Sequence, residues 1–130
     1  NMETLQVAAI VNWYGITNVT DLLNNGPGTS GNFTEAWIGS SPNRVATAAR
    51  VSPINHVREN LPPIITIHGD VDTIVPHSQG VLLHEALNRA GVPNELITIQ
   101  GGGHGGFSAT QMANIYDEIR DFLKDHEVGN

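Results

Sequence analysis

Val7-Ala8-Ala9-Ile10-Val11 is an apolar run with no alternation, set between polar Gln6 and Asn12. A strand that is apolar at every position has to be covered on both faces, a requirement met by parallel sheets flanked by helices. Two further segments fit that frame. Ile64-Ile65-Thr66-Ile67-His68 is a β-branched run introduced by Leu61-Pro62-Pro63 and stopped by Gly69-Asp70. Leu96-Ile97-Thr98-Ile99 is a third strand, closed by the glycine cluster Gly101 to Gly106 around His104. Between them Ser78 is placed to cap a helix whose Leu82, Leu83, Ala86, Leu87 and Ala90 share one face, with Gly91 and Pro93 ending it. Ser108 and Gln111 have capping-box spacing, and Met112, Ile115, Tyr116, Ile119, Phe122 and Leu123 recur at helical intervals behind them. Residues 15–53 read as a long loop-and-helix excursion rich in turn formers. Its clearest helix starts at Ser41-Pro42, runs through Arg50 and is stopped by Ser52-Pro53. The order strand, excursion, strand, helix, strand, helix predicts one α/β domain over 1–130, a parallel sheet of about three strands with flanking helices.

Charge narrows the function. Six Lys and Arg against 13 Asp and Glu leave a net charge of -7, which repels phosphate backbones and excludes nucleic acid as a partner. No apolar run approaches the roughly 20 residues of a membrane span. The opening Asn1-Met2-Glu3-Thr4 has neither the basic nor the apolar part of a signal peptide. The absence of cysteine excludes disulfides and thiolate metal sites and leaves the compartment open. A chain that opens on Asn1 rather than Met is expected to be part of something longer.

In an open parallel sheet the ligand site lies beyond the carboxyl ends of the strands, which directs attention to the segments after Ile67 and after Ile99. The first holds His68, Asp70 and Asp72; the second holds His104. Adjacent parallel strands lie about 5 Å apart, so a carboxylate on one loop can reach an imidazole on the next. Asp72 is therefore expected to orient His104. A carboxylate that accepts the Nδ1 proton fixes the ring tautomer and stabilises the cation formed when Nε2 takes a proton from a nucleophile.

His68-Gly69-x-x-Asp72-x-x-Val75-Pro76, followed about thirty residues later by a strand and Gly-Gly-His104-Gly, resembles the carboxyl-terminal part of α/β-hydrolase esterases and lipases, feruloyl-esterase-like proteins among them. Asn12-Trp13-Tyr14-Gly15 is similar to the strand that follows the nucleophile in such enzymes. The resemblance implies the carboxyl-terminal half of an α/β-hydrolase fold, with Asp72 as triad acid, His104 as triad base, no cofactor, and a small-molecule ester as substrate of the whole enzyme. It departs from the family in two respects. No Gly-x-Ser-x-Gly elbow precedes Asp72, since Gly28-Thr29-Ser30-Gly31-Asn32 and Gly39-Ser40-Ser41-Pro42-Asn43 both lack the last glycine, and no oxyanion His-Gly-Gly-Gly follows an early strand. The chain alone is expected to be inactive. His104-Gly105-Gly106-Phe107 is also similar to a lipase oxyanion motif, but such a loop would precede most of the sheet, and here one helix follows it.

Two other functions remain open at this point: part of a prolyl-oligopeptidase-type serine peptidase, which shares the Asp and His loops, and a non-catalytic α/β module. The outer edge of the first strand is expected to support homo-oligomer formation. Asp70 reads as a turn residue bonding nearby backbone, with triad acid as its less favoured alternative, His68 as packing beneath the site, and His77 as an exposed residue at the start of the helix, with a place at the substrate rim as its less favoured alternative. His56, His84 and His126 read as surface or core-edge residues, and Ser108 as a cap. Trp13, Tyr14 and Trp37 are candidate pocket walls. Asp70, Asp72, His77 and His104 are zinc-ligand types, but their spacing matches no zinc motif, so no metal is expected. Asn18-Val19-Thr20 and Asn32-Phe33-Thr34 fit the glycosylation pattern, which occurs often by chance.

Overall fold

The structure, a computed structural model, describes residues 6–25 and 33–129, without the Phe33 side chain. Three parallel strands, β1 (Ile10–Trp13), β2 (Ile64–Gly69) and β3 (Asn94–Ile99), form a sheet in the order β1-β2-β3. Helices α1 (Val19–Asn25), α2 (Phe33–Ile38) and α3 (Arg44–Val51) with a 3-10 turn (Pro53–His56) fill the excursion, α4 (Ser78–Arg89) links β2 to β3, and α5 (Ala109–Asp125) follows the glycine cluster.

Every residue of β2 is buried, which is why this central strand needs no polar alternation. Ile64, Thr66 and His68 face α4. Ile64 packs with Leu83, Leu87 and Val92, and the Thr66 hydroxyl meets His84 Nε2 at 2.7 Å. Ile65 and Ile67, fully buried, point the opposite way. α5 covers that face: Trp13, in register with Ile67, meets Tyr116 of α5 edge-on at 6.3 Å. Removing each of those isoleucines from water contributes about 1.5–3 kcal/mol.

β1 begins three residues later than the apolar run suggests. Ile10 starts the ladder by donating to the Pro63 carbonyl, and Pro62 and Pro63 have no N–H with which to extend it backward, so Val7 is left 63 % exposed. The strand instead runs forward through polar Asn12, whose amide donates to the Thr66 hydroxyl at 3.2 Å. Two caps also differ from expectation. Ser41 closes a turn ahead of α3 by accepting from Asn43 N–H, while Asn43 occupies the cap position with no side-chain bond. His77 rather than Ser78 precedes α4, in helical conformation and again without a side-chain cap. Gly91 ends α4 at φ 68°, and Ser108 and Gln111 make both arms of the capping box, as the spacing predicts.

The excursion is tied to the sheet layer by Gln79, a buried α4 residue with no sequence signature. Its Oε1 accepts from the Thr17 and Asn18 amides, its Nε2 donates to Asp21, and its carbonyl accepts from the Thr17 hydroxyl. Ser52 does the same between α1 and α3, accepting from Val19 N–H and donating to the Ala48 carbonyl. Among the described residues no helix is long and apolar enough to cross a membrane.

Candidate active site

Because the three strands are parallel, the segments leaving them gather at one end of the sheet: Tyr14 after β1, Gly69 to Pro76 after β2, and Gly101 to Phe107 after β3. The last two interlock through backbone. Asp70 N–H donates to the Ile99 carbonyl at 3.2 Å, and Val71 N–H donates to the Gly102 carbonyl at 3.1 Å. Gly69 allows this approach, since a Cβ there would overlap the carbonyl oxygens of Gly102 and Gly103. Gly69→Ala is accordingly expected to cost about 1–3 kcal/mol in urea unfolding, because only a backbone shift relieves the overlap. Gly103→Ala, with open space around its Cβ position, should stay within about 0.5 kcal/mol.

The interlocked loops bring Asp72 and His104 together. Asp72 Oδ2 lies 2.8 Å from His104 Nδ1, and since a carboxylate only accepts, Nδ1 carries the proton. Asp72 Oδ1 accepts from the amides of Ile74 at 2.8 Å and Val75 at 2.9 Å, an Asx turn that holds the carboxylate plane. Burial of this side chain pushes its pKa up, but the hydrogen bonds from His104, Val75 and Ile74 outweigh that and hold the carboxyl below its ordinary range. Asp72 is thus an anion at neutral pH. The His104 side chain is 30 % exposed, and its Nε2 has no hydrogen-bond partner among the described residues. With Nδ1 protonated, Nε2 of the neutral ring has a lone pair available to take a proton.

His68 lies beneath the pair, fully buried, donating from Nε2 to the Val75 carbonyl at 2.8 Å with Asp72 Oδ2 at 3.4 Å. Burial lowers its pKa, so the ring is neutral and its contact with Asp72 is that of a dipole with an anion rather than an ion pair. Its Nδ1 is buried without a hydrogen-bond partner among the described residues. Gly80 gives the ring room, since a Cβ there would press on that nitrogen at 3.3 Å.

The remaining candidates separate from the site. Asp70 is exposed and accepts from Gly101 N–H at 2.7 Å, so it bonds the neighbouring loop rather than its own turn, because parallel strands set the two loops side by side. His77 is half-buried rather than exposed, with Nε2 2.9 Å from the Thr98 hydroxyl. Of the surface and core-edge readings, the structure excludes the surface for His84, which is buried between α4 and the sheet; Thr66 and Asn94 supply the partners that make burial of an imidazole tolerable. His56 is exposed and meets the Arg50 carbonyl, and His126 packs on Phe122. Trp37 is 64 % exposed on α2 and takes no part in the ring contacts around His104, whereas Tyr14 lies directly on that imidazole. Among the described residues no three His, Asp or Glu side chains converge as a metal site. The segment Gly28 to Asn32, with Ser30, and Asn32 of the second glycosylation pattern lie outside the described residues.

Residues 1–87, which carry β1, β2 and the Asp72 loop, match the family BD-FAE. The chain belongs to the BD-FAE family. The BD-FAE chain is also similar to solved structures of the α/β-hydrolase fold. A truncated form of a carbohydrate esterase from gut microbiota is 32 % identical, with a TM-score of 0.72 over 91 % of this chain and 43 % of that one. Puromycin hydrolase superposes with a TM-score of 0.78 over 97 % of this chain and 19 % of that one, and at 20 % identity shows the fold alone. Acyl-protein thioesterase 1 homolog 1 of Dictyostelium discoideum is 43 % identical over 42 residues, which are 32 % of this chain and 19 % of that protein. The BD-FAE chain thus spans less than half the length of each of these relatives.

Proposed function

We propose that this chain is the acid–base half of a serine carboxylic ester hydrolase acting on esters carried by carbohydrates. The observation behind this reading is the Asp72–His104 hydrogen bond of 2.8 Å, with His104 Nε2 unpaired at the open end of the sheet. In the proposed reaction a serine from a segment outside these 130 residues attacks the ester carbonyl. Nε2 of His104 takes the serine proton and then returns it to the leaving alcohol, while Asp72 stabilises the imidazolium. A water molecule then repeats the sequence on the acyl-enzyme, transferring its proton to Nε2 and releasing the acid and the serine.

The serines of the described residues do not suit the nucleophile role. Ser52 is buried and committed at both hydrogen-bonding positions, Ser108 is spent as a cap, and none contacts His104 Nε2. The carbohydrate assignment draws on the 32 % identity to a carbohydrate esterase, whereas the puromycin hydrolase likeness speaks only to fold. Hydrolysis of short-chain nitrophenyl esters tests the proposal. The 130-residue chain alone should give no turnover above free imidazole; an enzyme-like rate abolished by His104→Ala would show that the nucleophile is within it.

The outer edge of β1 has no strand beside it among the described residues; Ile10 in the strand is 38 % exposed and Val7, just ahead of it, 63 %. We propose that the isolated chain self-associates along this edge. Sedimentation velocity over a wide concentration range is expected to show dimers or larger species; a monomer at the highest concentration would refute the edge pairing.

A further inference from the structure

His104 sits in a run of glycines, a composition that by itself does little to restrain a side chain. Gly102 and Gly103 precede it, Gly105 and Gly106 follow it, and the latter pair sit at φ 87° and 68°. The bond from Nδ1 to Asp72 is the one hydrogen bond that holds the imidazole among the described residues, and a change of the side-chain torsions that breaks it would release the ring. A general base needs a second restraint, and the structure supplies one from β1.

Tyr14 stands at φ 41°, a conformation that bulky L-residues rarely adopt and that persists only where surrounding contacts offset its cost. Its N–H donates to the Ile67 carbonyl at 2.8 Å, anchoring the turned backbone to β2 one residue before His68. The turn lays the phenol ring on the imidazole, with centroids 4.5 Å apart and planes inclined by 53°. Edge contacts from Trp13 at 6.3 Å and Phe107 at 6.2 Å hold the ring in place. Gly105 is shaped to receive it, since a Cβ there would meet the Tyr14 hydroxyl oxygen at 3.1 Å.

We propose that Tyr14 is a positioning residue for His104: its ring blocks the imidazole from swinging off Asp72, keeping Nδ1–H on the carboxylate and Nε2 turned to the open site. This inference rests on the acid–base reading of Asp72 and His104. The flat ring carries the role rather than the hydroxyl, which has no hydrogen-bond partner among the described residues.

The test is proton NMR on the 130-residue chain, following the His104 Nδ1–H resonance and its exchange with water. Tyr14→Phe keeps the ring and should leave the exchange rate within about twofold, whereas Tyr14→Asn, which tolerates positive φ but removes the ring, should raise it at least about tenfold. Equal rates in the wild type and a folded Tyr14→Asn variant would overturn the inference. If that variant fails to fold, nuclear Overhauser contacts between the Tyr14 ring and His104 in the wild type decide: their presence with normal exchange in Tyr14→Phe supports the contact, and their absence overturns it. Asp72→Asn separates the two claims. A His104 signal indifferent to Asp72 refutes the acid–base pair itself, whereas one that depends on Asp72 and not on Tyr14 refutes only the positioning role.

Discussion

In an active esterase containing this chain, His104→Ala is expected to lower kcat by about 10⁴–10⁶ and Asp72→Asn by about 10⁴, with KM little changed. The second loss is large although the substitution is nearly isosteric, and the site geometry says why. Asp72 Oδ1 is claimed by the Ile74 and Val75 amides at 2.8 and 2.9 Å. An asparagine has one acceptor oxygen, and those two N–H groups require it on their side. The amide nitrogen then faces His104 Nδ1 where Oδ2 stood, and two donors cannot share that 2.8 Å contact. The imidazole is driven to its other tautomer, with the proton on Nε2, and cannot accept one from a serine. His68 Nε2–H, 3.4 Å from the same position, gains a second donor facing it, so some loss of stability should accompany the loss of rate. Steady-state assays of both variants against a short-chain nitrophenyl ester check this. An Asp72→Asn enzyme with kcat within about tenfold of wild type would remove Asp72 from the triad and reopen the role of Asp70.

The site was legible in the sequence to the extent that it depends on strand ends. Unbroken apolar runs imply a parallel sheet, a parallel sheet puts consecutive loops side by side, and the resemblance of the two loops to α/β-hydrolase esterases then favours Asp72 over Asp70 as the partner of His104. The structure places Nδ1 against Oδ2 as that reasoning requires. What could not be read depends on which groups lack partners after packing. Gln79 sits in α4 as an ordinary polar residue, and only the folded chain shows that it satisfies two amides and a hydroxyl of the excursion. His84 reads as a surface or core-edge residue because it borders the apolar face of α4, and what makes its burial tolerable, Thr66 and Asn94 within reach of its two ring nitrogens, is a matter of strand register. Tyr14 shows the same gap. An aromatic at a strand end reads as a pocket wall, whereas its positive φ and its seat on His104 arise from the loop that Gly105 makes possible.

The two buried histidines lead to the second large effect: acid should destabilise this chain from about pH 6.5 downward, well above the carboxylate range. Burial lowers the pKa of both His68 and His84. In the unfolded chain both take up protons near their ordinary value, whereas the folded chain resists them, so the unfolded state binds more protons and stability falls as pH falls. The loss continues until the lower folded values are reached, at up to about 1.4 kcal/mol per pH unit for each histidine, or up to about 2 kcal/mol each between pH 7 and pH 5. Asp72, held below its ordinary range, adds a loss of the same sign only below about pH 4. Glu95 acts in the opposite direction. Partial loss of solvent first, then the charges of Glu118 and Asp125, raise its pKa, so the folded state takes its proton more readily. That residue is exposed, and solvent screening keeps its contribution small. Urea unfolding at pH 7 and pH 5 measures the net effect, and equal stabilities would refute it. His84→Gln apportions it: Nδ1 of His84 donates to Asn94 and Nε2 accepts from Thr66, and a glutamine amide offers one donor and one acceptor to the same partners without titrating. This variant should keep most of its stability at pH 7 and lose about half of the pH dependence; an unchanged slope would assign the whole effect to His68, beneath the Asp72–His104 pair.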